Sequence, residues 1–270
     1  MLNILLILVS AFSFLLPDEG NLAQSMGFRG NNPAQLITRY MEIGGHLGAL
    51  DSREANLFIS SGSIFIKSTY KSLGKIEVRG PVPQDDGMVP SYPYLFNVEI
   101  GSNMNLTARS TIGASCSIFE HRILTYDIKG YLFNLGGIYR VNALSFAGYA
   151  RNIGPRMGYF ENDKYSVPTY GSFYGTYTMG KGQLSIGVGL LNFSTSNLTL
   201  ILDYSRKISR CFSLGGELIT EKDLSVGYRF KYPLRFMFAF RKDKTHIGIR
   251  FDIPSGGFNI KSYAYLGVVL

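Results

Sequence analysis

Leu234-Arg-Phe-Met-Phe-Ala-Phe-Arg-Lys-Asp-Lys-Thr-His-Ile-Gly-Ile-Arg-Phe-Asp-Ile253 alternates between two kinds of side chain along nearly its whole length. In its first half Leu234, Phe236, Phe238 and Phe240 alternate with Arg235, Met237, Ala239 and Arg241. After the connection Asp243-Lys244, Ile247, Ile249, Phe251 and Ile253 alternate with His246, Gly248, Arg250 and Asp252. Successive side chains of a strand point to opposite faces, so each half has one greasy face and one face of charges and glycine. Two strands joined by a tight turn follow.

Outward from there the pattern repeats. Leu184, Ile186, Val188 and Leu190 oppose Ser185, Gly187 and Gly189. Leu198, Leu200, Leu202 and Tyr204 oppose Thr199, Asp203 and Ser205. Leu214, Gly216 and Leu218 oppose Ser213, Gly215 and Glu217, while Val226, Tyr228 and Phe230 oppose Ser225, Gly227, Arg229 and Lys231. A soluble sandwich also has two-faced strands, but its strands run about 5–6 residues. These segments run about ten, the 9–11 residues that a tilted strand needs to cross a bilayer. The uncharged window Gly182 to Leu202 is too polar for a membrane helix, and its Asn192-Phe-Ser-Thr-Ser-Asn197 centre reads as a turn. Aromatic residues at segment ends, Tyr228 to Tyr232 and Tyr263-Ala-Tyr265, read as interfacial girdles.

The first half adds strand candidates at Tyr40 to Leu50, Asn56 to Tyr70, Tyr94 to Gly101, Leu106 to Phe119 and Ile123 to Tyr139. Gly80 to Pro90 and Arg156 to Pro168 read as loops. The expectation is an all-β, transmembrane antiparallel barrel over 40–270, with about 12–14 strands. Residues 24–39 lack alternation and are expected to form a short plug in the barrel mouth, with Asn31, Asn32 and Pro33 as its candidate residues. Ile4 to Leu16 is an uncharged apolar run ending at Pro17-Asp-Glu19, too short to span a bilayer, and residues 1–23 read as a secretory signal peptide.

Composition narrows the classes. Of 270 residues 46% are hydrophobic and 17% charged, which excludes a disordered chain, and 31 glycines disfavour a helical one. Two cysteines and three histidines provide no structural zinc site. The formal charge is +8, and loss of Asp18 and Glu19 with the signal would raise it to +10. Lys and Arg stand singly along strand-like segments rather than on a recognition helix, which argues against nucleic acid. The excess is expected to meet lipid phosphates, an anionic solute or a partner.

Several short motifs add a resemblance. They are Ser25-Met-Gly27 and Asn32-Pro-Ala34, Ala150-Arg-Asn-Ile-Gly154, Gly215-Gly-Glu-Leu218, Leu224-Ser-Val-Gly-Tyr-Arg229 and Ser262-Tyr-Ala-Tyr265. Together they resemble the PorV/PorQ type of outer-membrane protein, a branch of the FadL-like barrels. The resemblance implies a FadL-like barrel with an N-terminal plug, at the bacterial outer membrane. It also implies a role by protein–protein interaction in type IX secretion and surface attachment, with secretion-system proteins or secreted substrates as partners. More distant relatives carry hydrophobic compounds, and a channel for hydrophobic or small anionic solutes is the alternative. The chain departs from the family in being short and in ending on Leu270 rather than an aromatic residue.

Enzymatic chemistry has little to stand on. His46, His121 and His246 sit in no local signature with a nucleophilic serine, so no catalytic residue, cofactor or metal is expected. Glycine pairs such as Gly136-Gly137 and Gly215-Gly216 precede no helix that would cradle a phosphate. Cys116 and Cys211 are not expected to pair. The polar faces unite Asp203, Glu217, Arg229, Lys231, Arg235, Arg241, Arg250 and Asp252 as a candidate lumen-facing set. It is either a selectivity surface or a neutralising network that fills a closed barrel, and the second is favoured because both signs are present.

Overall fold

The computed structural model describes residues 31–35, 39–47, 52–72, 74, 76–78, 89–123, 126–154, 157–160, 163–165, 167–192, 198–223, 227–253 and 260–270. Its strands are β1 (Tyr40–Leu47), β2 (Arg53–Ser61), β3 (Ile64–Ser72), β4 (Ile76–Val78), β5 (Val89–Ser91), β6 (Tyr94–Asn105), β7 (Ser110–Ile123), β8 (Tyr126–Val141) and β9 (Leu144–Ile153). They continue with β10 (Met157–Phe160), β11 (Asp163–Tyr165), β12 (Tyr170–Met179), β13 (Gly182–Leu191), β14 (Leu198–Lys207), β15 (Phe212–Asp223), β16 (Gly227–Lys242), β17 (Thr245–Ile253) and β18 (Lys261–Val269).

Fourteen of these close into a barrel in which each strand pairs antiparallel with its neighbours in sequence. The hairpins β4–β5 and β10–β11 stand apart in two connections. The last strand meets the first from Tyr40↔Val269 to His46↔Tyr263. Closure satisfies the backbone ladder without leaving an edge, the condition for a sheet in hydrocarbon.

Some element boundaries differ from the sequence expectation. Asn56 to Tyr70 is a hairpin rather than one strand, because Gly62 takes a positive φ of 62° and turns the chain. Asn142 and Asp243 have φ of 53° and 50° in the equivalent two-residue turns, the backbone that tight hairpins demand. The strand expected from Leu106 starts at Ser110, since the Thr107 hydroxyl accepts from the backbone N–H groups of Arg109 and Ser110 and holds a turn. The Arg156 to Pro168 loop carries the β10–β11 hairpin. Residues 1–30, most of the Gly80 to Pro90 loop and 193–197 lie outside the described residues.

The two faces of the wall separate sharply. Ile59, Ile100, Ile118, Leu135, Phe173, Ile186, Leu202, Phe238 and Ile249 all face outward and are exposed, whereas Glu99, Asn134, Asp203, Glu217 and Arg235 are buried inside. An apolar band of this extent has no place in water and matches lipid tails. At one end of the hairpin β7–β8 the band stops. Beyond Ile118 and Tyr131 come Glu120, Arg122, Asp127 and Lys129, with Arg122 clasping Asp127 through two bonds of 2.5 and 2.7 Å. Tyr263 and Tyr265 do not join an outer girdle as expected. They take the inward parity of β18, while Ser262, Ala264 and Leu266 are exposed, and Arg250 lies 4.0 Å from the Tyr263 ring centroid. A guanidinium over an aromatic face holds that ring inside.

The barrel ends are unlike. At one rim the connections are short, 62–63, 106–109, 142–143, 180–181, 208–211 and 243–244. At the other they include 48–52, 73–93, 154–169 and 254–260. Outer-membrane barrels turn short connections to the periplasm and long ones outward.

Candidate functional site

The interior is built around a turn that precedes the barrel. Gln35 N donates to the Asn32 carbonyl at 3.0 Å, and Ala34 N to Asn32 Oδ1 at 2.9 Å, which folds Asn32-Pro-Ala-Gln35 tightly. The Asn32 amide then donates to the carbonyls of Gly137 and Gly148 at 3.2 and 3.3 Å, binding the turn to β8 and β9. Two glycines admit it. A Cβ on Gly136 would collide with Asn32 Oδ1, and one on Gly113 with the Pro33 carbonyl. Asn32 and Pro33 are buried and Asn31 is half-buried. The remaining residues of the expected 24–39 plug, apart from Ala34, Gln35 and Arg39, lie outside the described residues.

Beside the turn, Arg151 Nη2 meets Glu99 Oε2 at 2.6 Å, and Arg151 Nη1 reaches the Asn31 carbonyl at 3.2 Å. Ser115 and the Asn134 amide donate to the other Glu99 oxygen at 2.5 and 3.2 Å. Four neighbouring strands, β6 to β9, thus converge on one buried carboxylate, and that carboxylate's partner holds the plug turn. Sequence reasoning did not select Glu99 or Arg151. Each is a lone charge on the polar parity of its strand, and that was the available signal.

The candidate set from the C-terminal half divides. Asp203, Glu217, Arg235 and Asp252 are register neighbours on β14, β15, β16 and β17, and all are at most 3% exposed. Arg235 bridges Glu217 at 2.5 Å and Asp252 at 2.9 Å, and Arg250 joins Asp252 at 3.0 Å. Asp203 lies next to Glu217 and Ser185 in this belt and forms no ion pair among the described residues. Mutual pairing offsets the cost of burying the Glu217, Arg235, Arg250 and Asp252 charges. Arg241 is exposed at the short-turn rim, away from the belt, and the side chains of Arg229 and Lys231 lie outside those described.

Between these polar groups the described residues form three apolar clusters. Leu95, Phe119, Ile128, Leu132 and Val167 gather at the long-loop end. Ala34 of the plug turn packs with Ile138, Ala147, Tyr149, Tyr170 and Tyr174 at mid-depth. Tyr40, Phe58 and Phe65 gather near the short-turn end.

The three histidines are dispersed on β1, β7 and β17. His46 stacks on Tyr263 with ring centroids 4.7 Å apart and has Nδ1 2.7 Å from the Ser262 carbonyl. Among the described residues no three potential metal ligands come together. Cys116 and Cys211 are both free thiols.

A closed fourteen-strand antiparallel wall, apolar outside and with the 31–35 turn seated against its inner face, has the fold of FadL-like outer-membrane barrels. The chain is similar to the Pseudomonas putida toluene transporter TodX, at 10% identity and a TM-score of 0.59 over 93% of this chain and 96% of that one. It is also similar to a Pseudomonas aeruginosa FadL homologue, at 9% identity and a TM-score of 0.55 over 96% and 94%. A TodX deltaS2S3 mutant, described as a monoaromatic hydrocarbon channel, gives 11% identity and a TM-score of 0.62 over 94% and 100%. Comparison with protein-family models and with curated proteins gives no match. At these identities the likeness establishes the fold, and none of the three relatives bears on PorV/PorQ or on type IX secretion.

Proposed function

We propose that the protein is an outer-membrane channel that passes hydrophobic solutes through its lumen. The observation that carries this reading is the series of three apolar clusters inside the wall, at the long-loop end, at mid-depth against Ala34 of the plug turn, and near the short-turn end. An apolar solute moving inward would exchange one such surface for the next, and each transfer offsets its exposure to water. The similar transporter and channel named for toluene and for monoaromatic hydrocarbons support the same solute class. Among the described residues the interior arginines are paired within the wall, which weighs against selection of a small anion.

The test is uptake of a radiolabelled monoaromatic hydrocarbon by a bacterial host whose outer leaflet is lipopolysaccharide, with and without the protein in its outer membrane. Faster uptake with the protein supports the channel. Unchanged uptake, together with co-purification of exported proteins, would instead support the interaction role in secretion implied by the PorV/PorQ resemblance.

A further inference from the structure

The short-turn rim concentrates the chain's positive charge. Arg39, Arg109, Arg140, Lys181, Arg206, Lys207, Arg210, Arg241, Lys242 and Lys244 all lie in or next to its turns, and all ten are exposed. Asp243 is the one acidic side chain among them. Ten cations against one acid give the rim a formal +9, so with a whole-chain charge of +8 everything else sums to −1. None of the ten forms an ion pair among the described residues. Structural pairing, which accounts for Arg151, Arg235 and Arg250 in the interior, therefore does not account for these.

The rim is also stitched into a continuous band. Arg140 N donates to the Arg109 carbonyl, Lys207 N to Lys181, Arg241 N to Cys211, Val269 N to Lys244 and Leu270 N to Arg39, at 2.6–2.8 Å. Each hairpin end is thereby fixed to the next strand. The cations are held at one level of the barrel while their long stems remain free to reach.

We infer that this rim binds the headgroups of anionic phospholipids in the leaflet on the short-turn side, an inference that rests on the membrane-barrel reading above. Three observations favour lipid over an acidic protein. The cations are spread over most of the perimeter, from Arg39 round to Arg109, where a protein partner would need one compact patch. Arg206 and Lys242 share the outward parity of Tyr204 and Phe240, which places them directly at the edge of the apolar band. Leu106 and Ile208, in these turns, and Leu144 and Met179, beside them, are 43–54% exposed, as side chains seated in the boundary between acyl chains and headgroups would be. Phosphates in a leaflet lie at that edge, and a basic side chain near an anionic membrane surface is drawn to it.

The full chain, folded into vesicles of phosphatidylcholine and phosphatidylglycerol, is extracted in mild detergent, and the lipid carried with it is quantified. The ratio of phosphatidylglycerol to phosphatidylcholine carried with the protein should be roughly fivefold that of the vesicle, the weight of about one headgroup contact. The enrichment should fall to near one in high salt. It should also fall in a variant combining Arg206→Gln, Arg210→Gln, Lys242→Gln and Lys244→Gln, while the same arginines changed to lysine keep it. Heat-modifiable mobility on gels verifies that each variant is folded. No enrichment in the unaltered protein, or enrichment undiminished in a folded glutamine variant, overturns the proposal. Binding of polyglutamate without any lipid preference overturns it in favour of an acidic protein. Failure of the unaltered chain to insert into either lipid defeats the barrel reading and this proposal with it, a result distinct from insertion without preference.

Discussion

Arg151 Nη2 lies 2.6 Å from Glu99 Oε2 inside the barrel, and the same guanidinium reaches the carbonyl of Asn31. One ion pair thus fastens the plug turn to the wall, joining β6, β9 and the chain that precedes β1.

Removing either partner strands a charge in a site only 1% exposed at Glu99. Arg151→Met should destabilise the folded barrel by about 3–5 kcal/mol, and Glu99→Gln by less because an amide keeps the hydrogen bonds to Ser115 and Asn134. Urea titration in detergent, followed by tyrosine fluorescence and gel mobility, measures both. Equal, negligible losses would contradict the pairing.

The glycines beneath the plug lend themselves to a different experiment. Gly136→Val places methyl groups where Asn32 Oδ1 lies, so the turn must leave its seat while the wall keeps its ladder. Planar-bilayer recordings should show a higher steady conductance than the parent barrel. Gly137→Val is the control, because a Cβ there meets nothing closer than the Thr111 carbonyl at 3.9 Å. Equal conductance in both would mean that the turn does not obstruct the lumen.

The C-terminal belt predicts non-additivity. Arg235→Met leaves Glu217 and Asp252 without their shared cation and should cost about 3–5 kcal/mol. Adding Glu217→Gln to Arg235→Met should recover part of that loss, since the carboxylate that Arg235 paired is gone while Asp252 keeps Arg250. A double variant as unstable as the sum of the singles would contradict the shared bridge.

The alternation that decided the fold can be measured in a bilayer. Spin labels placed singly from 246 to 251 should report high oxygen accessibility at 247 and 249 and low accessibility at 246 and 250, because Ile247 and Ile249 are exposed while His246 and Arg250 are buried. A flat profile, or one with the opposite phase, would mean that the greasy face does not contact lipid.

Much of the wall was readable because period two is a local property. Leu234 to Ile253 shows both faces within twenty residues, and β17, the turn at Asp243-Lys244 and the second half of β16 lie where that pattern places them. Gly227 to Lys231, by contrast, read as part of a separate segment, is the start of the same strand β16. What was not readable depends on distance along the chain. Glu99 and Arg151 are 52 residues apart, and nothing near either one announces the other. The strand break at Gly62 was missed although Ser60-Ser-Gly-Ser63 is itself a turn signal, standing between the apolar runs Leu57-Phe-Ile59 and Ile64-Phe-Ile66. Tyr263 and Tyr265 looked like girdle residues until closure brought Arg250 over one ring. The rim cations looked isolated in sequence because each sits in a different turn, and only the closed barrel brings those turns to one level.

In the proposed channel, apolar solutes pass through the lumen along the three apolar clusters of the described residues. The most direct measurement compares uptake of a labelled monoaromatic hydrocarbon in hosts making the unaltered barrel and the Tyr174→Lys variant, with surface abundance and folding matched. Tyr174 packs in the mid-depth cluster beside Ala34, so a charge there should sharply reduce hydrocarbon uptake while ionic conductance is unchanged or increased. Equal hydrocarbon uptake through both barrels, or uptake no faster than in a host lacking the protein, would contradict it.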